Sequence, residues 1–303
     1  MALVLLNPHA RGGRARALAP TLQSELTRLD ASAALLVPES VAQARAHVAA
    51  APRGQRVVVV GGDGTLHQLL PALLAGGHET ALVSAGSGDD SARAFGLHGM
   101  PWREALAFAL TAPALPTDIG EVQTEHETRP FISSLAVGFD AAVAQRALRG
   151  PDWLGGMPRY LLATLQELAS LRLCDMNVSV DGHLLHQGPA LFASALNTPS
   201  YGGGMPAVPH ARIDDGRLDL LLAGSFTRVG TLLMLPRLLL GRHLGHARVK
   251  CELFAALRIN SAGPLPLAAD GEAMRAAGQV EVSALAAALR VVRRVSDSSV
   301  DSH

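Results

Sequence analysis

The run Arg56-Val57-Val58-Val59-Val60, broken at once by Gly61-Gly62-Asp63-Gly64-Thr65, constrains this chain more than any other feature. Four successive valines show no polar alternation, so the strand they form is buried on both faces. A parallel sheet covered by helices on each side requires such strands. The flanking sequence repeats the unit. Ala2–Leu6 is a short apolar strand ending in Asn7-Pro8, and Leu18, Leu22, Leu26 and Leu29 recur at helical spacing. Leu35–Val37 reads as a second strand and Val41–Ala51 as a second helix. Leu66–Leu74 resumes helical spacing after the glycines, and Ala81–Ser84 is a further strand. This βαβαβ order predicts a doubly wound parallel-sheet α/β domain over residues 1–117.

After Pro116 short apolar runs alternate with turn chemistry. Val178–Leu185 reads as a hairpin with Asp181-Gly182 as its tight turn, and Asp215-Gly216 and Asp270-Gly271 repeat the dipeptide. Two helices interrupt, Met157–Leu171 and Thr227–Leu240, both expected in the core. The prediction is a mostly antiparallel β-sandwich domain over 118–295, whose last strand packs back on the first domain, and a frayed polar tail over 296–303.

A chain of 303 residues accommodates two such domains. Its net charge of zero removes the field that would recruit nucleic acid. Lys250 is the only lysine, so a phosphate clamp here must use arginine, backbone N–H groups or metal. Cys174 and Cys251 cannot build a disulfide framework and are expected as buried thiols of a reducing compartment. The N-terminus lacks a basic leader, and the longest apolar segment, Val229–Leu240, contains Pro236 and Arg237 and is too short to span a bilayer. The expected location is cytoplasmic, with peripheral membrane contact through the Leu-rich helix that carries Arg228, Arg237 and Arg242. The twelve histidines show no paired metal spacing, and His243, His246 and Arg248 read as a solvated loop.

Glycines between a buried strand and a helix start let backbone approach a phosphate, and the helix terminus offers N–H donors. Asp63 is unfavourable beside bare phosphate and makes sense as a contact to Mg²⁺ or its water shell. No Gly-Lys-Ser/Thr follows, so this is not a Walker loop, and the Gly-x-Gly-x-x-Gly spacing is also missing. Taken alone, Glu272 after Asp270-Gly271 is a solvated turn residue.

An ordered series of motifs resembles the diacylglycerol kinase catalytic-domain family, especially its soluble bacterial lipid kinases. Leu6-Asn7-Pro8-His9-Ala10-Arg11-Gly12-Gly13 is similar to the family's Asn-Pro…Gly-Gly nucleotide loop, and Gly61–Thr65 matches its signature. Gly86-Ser87-Gly88-Asp89-Asp90-Ser91-Ala92-Arg93 resembles its second nucleotide motif, and Asp118-Ile119-Gly120 the opening of its C-terminal domain. Gly138-Phe139-Asp140-Ala141, Asn197…Gly202-Gly203-Gly204, Asp214–Asp219 and Asp270-Gly271-Glu272 complete the series. Ser87 stands for the usual Thr, Asp89 for the usual Asn, and Pro38 for a nucleotide-contacting Thr that Ser40 replaces.

The resemblance implies a lipid kinase that moves the γ-phosphate of ATP to a lipid hydroxyl, diacylglycerol first, in phospholipid biosynthesis. ATP would be held by Asn7, Pro8, Ser40, Gly61, Gly62, Asp63, Gly64, Thr65, Ser87 and Asp90. Mg²⁺ would be held by Asp118, Asp215, Leu218 and Leu220, partly through backbone carbonyls. Glu272 would be the general base, with Asp63 beside it in the catalytic set. The implied partner is a lipid reached at a membrane surface, with no nucleic acid and with homodimerisation left open. The enzymatic alternative is an NAD kinase-like small-molecule kinase, since NAD kinases share the GGDGT loop. The alternative from another class is a non-catalytic lipid- or nucleotide-binding regulator.

Overall fold

The computed structural model describes residues 2–10, 12–85, 89–151, 153–154 and 156–295. Two compact units divide the chain, one of residues 1–116 and 289–303, the other of residues 117–288. The expected tail over 296–303 lies outside the described residues.

In the first unit β1 (Leu3–Leu6), α1 (Ala19–Leu29), β2 (Ala34–Leu36), α2 (Val41–Ala50), β3 (Arg56–Gly61), α3 (Asp63–Gly76), β4 (Glu79–Ser84), α4 (Asp90–Ala94) and α5 (Trp102–Thr111) follow one another. The strands form a parallel sheet in the order β2-β1-β3-β4. Val58 and Val60 pack with Leu22, Leu26 and Leu106 on one face, while Val57 and Val59 on the other face are fully buried too. That is the burial the valine run predicts.

The second unit contains most of β5 (Ala114–Thr124), then β6 (Thr128–Phe131), β7 (Ser134–Val137), α6 (Phe139–Leu148), α7 (Gly156–Leu168), β8 (Cys174–Val180), β9 (His183–Ala190), β10 (Phe192–Leu196), β11 (Leu218–Ala223), α8 (Arg228–Leu239), β12 (Val249–Phe254), β13 (Ala256–Ala269) and most of β14 (Glu272–Val292). Antiparallel pairing runs β12-β11-β10-β7-β13-β14, and β8 joins β13 to β9. At its far end β14 belongs to the first unit, where Arg290 and Val291 pair with β4 in parallel. One face of β11 sends Leu218, Leu220 and Leu222 into the sandwich core, with Leu135, Val178, Phe254 and Ile259. Its other face turns Leu221 and Ala223 toward α6, α7 and the loop around Met205.

Two Asp-Gly dipeptides make the expected tight turns. Asp181 and Gly182 take φ 46° and 85°, and Asp270 and Gly271 take 49° and 82°, the left-handed pair that two-residue hairpins need. They close Val180 on His183 and Ala269 on Glu272. Asp215-Gly216 differs, with positive φ at Gly216 alone.

Three expectations need correction. A third helix, α6, follows Gly138; its start at a glycine of φ 87° with no side-chain cap explains why no helix signal precedes it. Neither α7 nor α8 is a core helix. Only Ala163, Thr164 and Leu168 of α7 are buried, and only Thr231 of α8. The cysteines are half-buried rather than sealed.

The Gly120 of the Asp-x-Gly motif has a packing reason. It stands opposite Phe131 on β6, and a Cβ there would come within 2.0 Å of the ring. Gly120→Ala is expected to destabilise the protein by about 1–3 kcal/mol, the usual cost of overpacking. Phe131→Leu should recover part of that loss in the double variant. Urea unfolding of the two single variants and the pair tests this; strictly additive losses would show that the ring is not the obstacle.

Candidate functional site

In the first unit the ends of β1 and β3 are tied together. Asn7 Nδ2 donates to Thr65 Oγ1 at 2.7 Å, and Asn7 N donates to the Val60 carbonyl at 3.0 Å. Gly61 must be glycine, because a Cβ would lie 2.7 Å from Thr65 Oγ1. The turn from β3 into α3 is therefore bare backbone, and Gly62 begins α3 without a side-chain cap. Asp63 does not project freely from this loop. Its carboxylate accepts from Asp90 N at 3.1 Å and Ser91 N at 2.9 Å, which ties the GGDGT loop to the second glycine-rich loop. Asp90 in turn pairs with Arg93 at 3.5 Å. Asp89 sits at φ 58°, takes the Ser84 hydroxyl hydrogen bond on Oδ1, and has His98 Nδ1 at 3.9 Å from Oδ2. Ser40 spends its hydroxyl capping α2, accepting from Gln43 N at 3.2 Å. Ser87 lies outside the described residues.

In the second unit Asp118, 2% exposed, accepts from Gly216 N at 2.6 Å and from Ala287 N at 2.7 Å. It thereby fixes the turn that carries Asp215. Asp215 is exposed, and its Oδ1 accepts from Arg217 N at 3.0 Å. Leu218 and Leu220 offer only main-chain atoms, since their side chains are fully buried. Leu220 has strand partners on both sides, Ala195 and Glu252, whereas Leu218 pairs only with Phe254. Glu272, half-buried, opens β14 directly after the Asp270 turn. Asp270 anchors that turn by accepting from the N–H groups of Ile132, Ser133 and Ser134 at 2.9, 2.7 and 3.1 Å.

The same unit holds a cavity of about 690 Å³, mouth included, between the outer face of the sandwich and α6, α7 and α8. Its lining is almost wholly apolar, with Phe139, Phe192, Met205, Phe226, Met234 and Leu238 prominent. One polar cluster interrupts it. Asp140 Oδ1 accepts from Tyr160 Oη at 2.5 Å and Tyr201 Oη at 3.2 Å, and Oδ2 accepts from Ser194 at 3.0 Å. Burial raises the Asp140 pKa above the usual carboxylate value, and the three hydroxyl donors only oppose that shift. His243 also lines the cavity. It is 4% exposed rather than part of a solvated loop; its Nε2 meets the Ala207 carbonyl at 2.7 Å, and burial lowers its pKa.

Residues 1–122 match the family profile described as diacylglycerol kinase catalytic domain, and residues 133–293 the one described as YegS C-terminal NAD kinase beta sandwich-like domain. A "Diacylglycerol kinase" of Mycobacterium tuberculosis is 32% identical over 238 residues, covering 78% of this chain and 76% of that one. This chain belongs to the diacylglycerol kinase family. The family's curated members are lipid kinases, which are phosphotransferases. A crystal structure of a diacylglycerol kinase from Bacillus anthracis Sterne shares the fold, with TM-score 0.71, 14% identity, and coverage of 97% and 96% of the two chains. An NAD kinase from Archaeoglobus fulgidus, solved with ATP, shares it more distantly, with TM-score 0.51, 12% identity, and coverage of 94% and 90%.

Sequence reasoning missed the cavity of this kinase, because its lining comes from three helices, three strands and the loops between them, far apart in the chain. Gly138-Phe139-Asp140 was the one signal, since a carboxylate inside an apolar stretch needs partners. It also missed a cluster at Cys251, whose thiol is pushed up to about 12 by burial, then by Asp219 and Glu252. Among the described residues no helix is long and apolar enough to cross a membrane.

Asp140 makes a pH prediction. Its folded pKa is raised, so its favourable contribution to stability is complete below its ordinary value of 3.8 and fades as pH climbs through the folded value. Asp140→Asn removes that dependence while keeping an oxygen acceptor. The stability of the variant relative to wild type should therefore increase as pH rises above 3.8. Denaturant unfolding across acidic and neutral buffers measures it, and a difference that falls with pH would assign Asp140 the opposite charge state.

Proposed function

We propose that this chain transfers the γ-phosphoryl group of ATP to a lipid hydroxyl, with diacylglycerol as the first acceptor. The observation that carries the acceptor class is the cavity: apolar walls under three helices, with one hydrogen-bonding cluster at Asp140, Tyr160 and Tyr201. A dinucleotide acceptor such as NAD would need many more polar partners than this lining offers.

The nucleotide set is Asn7, Pro8, Gly61–Thr65, Asp90 and, outside the described residues, Ser87. The bare β3–α3 turn and the uncapped start of α3 suit an anion. Two backbone donors already satisfy the Asp63 carboxylate, which lessens its conflict with phosphate. Ser40, being a helix cap, fits an indirect role by shaping the loop before α2. For Mg²⁺ the exposed carboxylate of Asp215 and the carbonyl of Leu218 at the start of β11 are suitable hard donors. Leu220 fits less well, since its carbonyl belongs to the ladder. Asp118 fits a positioning role, because both of its oxygens hold backbone. Bound Mg²⁺ would supply neutralisation of charge on the transferring phosphate.

Glu272 then takes the proton from the acceptor hydroxyl as its oxygen attacks phosphorus. A lipid hydroxyl is a poor nucleophile at neutral pH, and the anchoring of Asp270 keeps the base in place. Exposed Val229, Leu233 and Leu240 on and just after α8 suit contact with a bilayer, while Met234, Leu235 and Leu238 of the same helix line the cavity. The chain would act as a peripheral, cytoplasmic enzyme of phospholipid synthesis.

Radiolabelled ATP offered with a panel of lipids and NAD should label a lipid. Label on NAD would favour the small-molecule kinase, and no label at all the regulator. Glu272→Gln should lower kcat by about 10²–10⁴-fold with ATP affinity unchanged, read by steady-state rates beside calorimetric ATP titration. Equal loss of ATP affinity would move Glu272 to the nucleotide. Ala223→Phe, which fills the cavity from β11, should lower kcat/KM for long-chain acceptors by at least about 10-fold and spare short soluble ones. Equal rates on both would take the acyl chain out of the cavity.

A further inference from the structure

On the helix-covered face of the sandwich, three side chains of different chemistry converge. Asp219 pairs with Leu253 and Leu221 with Cys251, so Asp219 and Cys251 are diagonal neighbours on one face of β11 and β12. The loop after Pro209 brings His210 over them, anchored by Val208 and Ala211, both buried on either side of it. His210 Nε2 lies 3.6 Å from Asp219 Oδ1 and 3.9 Å from Cys251 Sγ. All three donor atoms lie within 4.8 Å of one another. Asp219 is 2% exposed, and among the described residues its Oδ1 accepts no hydrogen bond. A buried carboxylate oxygen left without a donor is costly, and it faces the point where the other two atoms meet.

The cluster is not arranged as a nucleophile relay. A relay uses both nitrogens of the imidazole, one toward the thiol and one toward the carboxylate. Here the same Nε2 faces both partners. Three lone-pair donors around one point are instead the signature of a shared cation. Sulfur with nitrogen and oxygen selects a borderline-soft ion over Mg²⁺. Bonds of about 2.0–2.3 Å to a tetrahedral ion place neighbouring N, O and S ligands roughly 3.3–3.6 Å apart, so the 3.6 and 3.9 Å from His210 Nε2 need only a small closing movement.

We propose that His210, Asp219 and Cys251 form a Zn²⁺ site whose fourth position is open to water. It is distinct from the oxygen donors proposed for Mg²⁺ and does not depend on the kinase reading. Cys251 binds as the thiolate, its proton passing to solvent. The ion would clip the loop carrying His210 onto β11 and β12, beside the cavity that Met205 and Leu221 line.

The test is titration of chelator-treated, reduced full-length protein with Co²⁺, followed by Zn²⁺ competition. A single equivalent of Co²⁺ should produce a thiolate-to-cobalt charge-transfer band that Zn²⁺ abolishes and Mg²⁺ does not. Cys251→Ser should remove the band, while Cys174→Ser keeps it. His210→Gln changes an exposed side chain that the fold does not need. It should weaken binding by more than the roughly 10–100-fold that loss of an outer-shell partner costs. Absence of the band in wild type, its survival in Cys251→Ser, or unchanged affinity in His210→Gln would overturn the proposal.

Discussion

Among the described residues, the carboxylates of Asp63, Asp118, Asp181 and Asp270 accept from backbone N–H groups of another chain segment, and the loops of both units depend on this interaction. Asp63 holds Asp90 and Ser91; Asp118 holds Gly216 and Ala287; Asp181 holds Ala255 and Ala256; Asp270 holds Ile132, Ser133 and Ser134. Bonds to an ionised acceptor are about twice as strong as neutral ones, and each tether replaces water that a loop backbone would otherwise need. A tether also fixes conformations that sequence disfavours. Ala287 sits at φ 52°, left-handed without being glycine, and its N–H is the one Asp118 holds. Backbone strain of this kind persists where the surroundings over-determine it.

This use of carboxylate separates what a motif spells from what its residues do. Asp63, Asp118 and Asp270 stand in three family motifs; as letters the first two suggest metal chemistry and the third a tight turn. In the fold each carries its neighbours: Asp118 sets the turn bearing Asp215, and Asp270 sets the turn bearing Glu272. The neighbours that these tethers position, Asp215 and Glu272, are the residues proposed above for metal and for proton transfer.

Legibility followed the range of the cause. The valine run and the Asp181-Gly182 and Asp270-Gly271 turns are local facts of dihedral preference and period, and they were readable from a few residues. α6 was not, because its first turn relies on a glycine of positive φ rather than a cap. His243 looked solvated among Arg242, Gly245 and His246, yet the Ala207 carbonyl, distant in sequence, buries it. Of the candidate site, the glycine loops and acids were readable as types, whereas the tether partners and the cavity were not. The cavity is assembled by sandwich and helices together, so no window of sequence contains it.

The departure at Asp89 shows the same division in reverse. Counted as a letter, Asp in place of Asn adds a negative charge next to a glycine-rich loop. The backbone there needs φ 58°, and Asn and Asp are the two non-glycine residues that most readily accept it. The position therefore selects for short polar side chains that can enter the left-handed region, and charge is secondary. What charge remains is met locally, by the Ser84 hydroxyl on one oxygen and by His98 near the other. Aspartate at this position thus keeps the left-handed residue from which α4 starts.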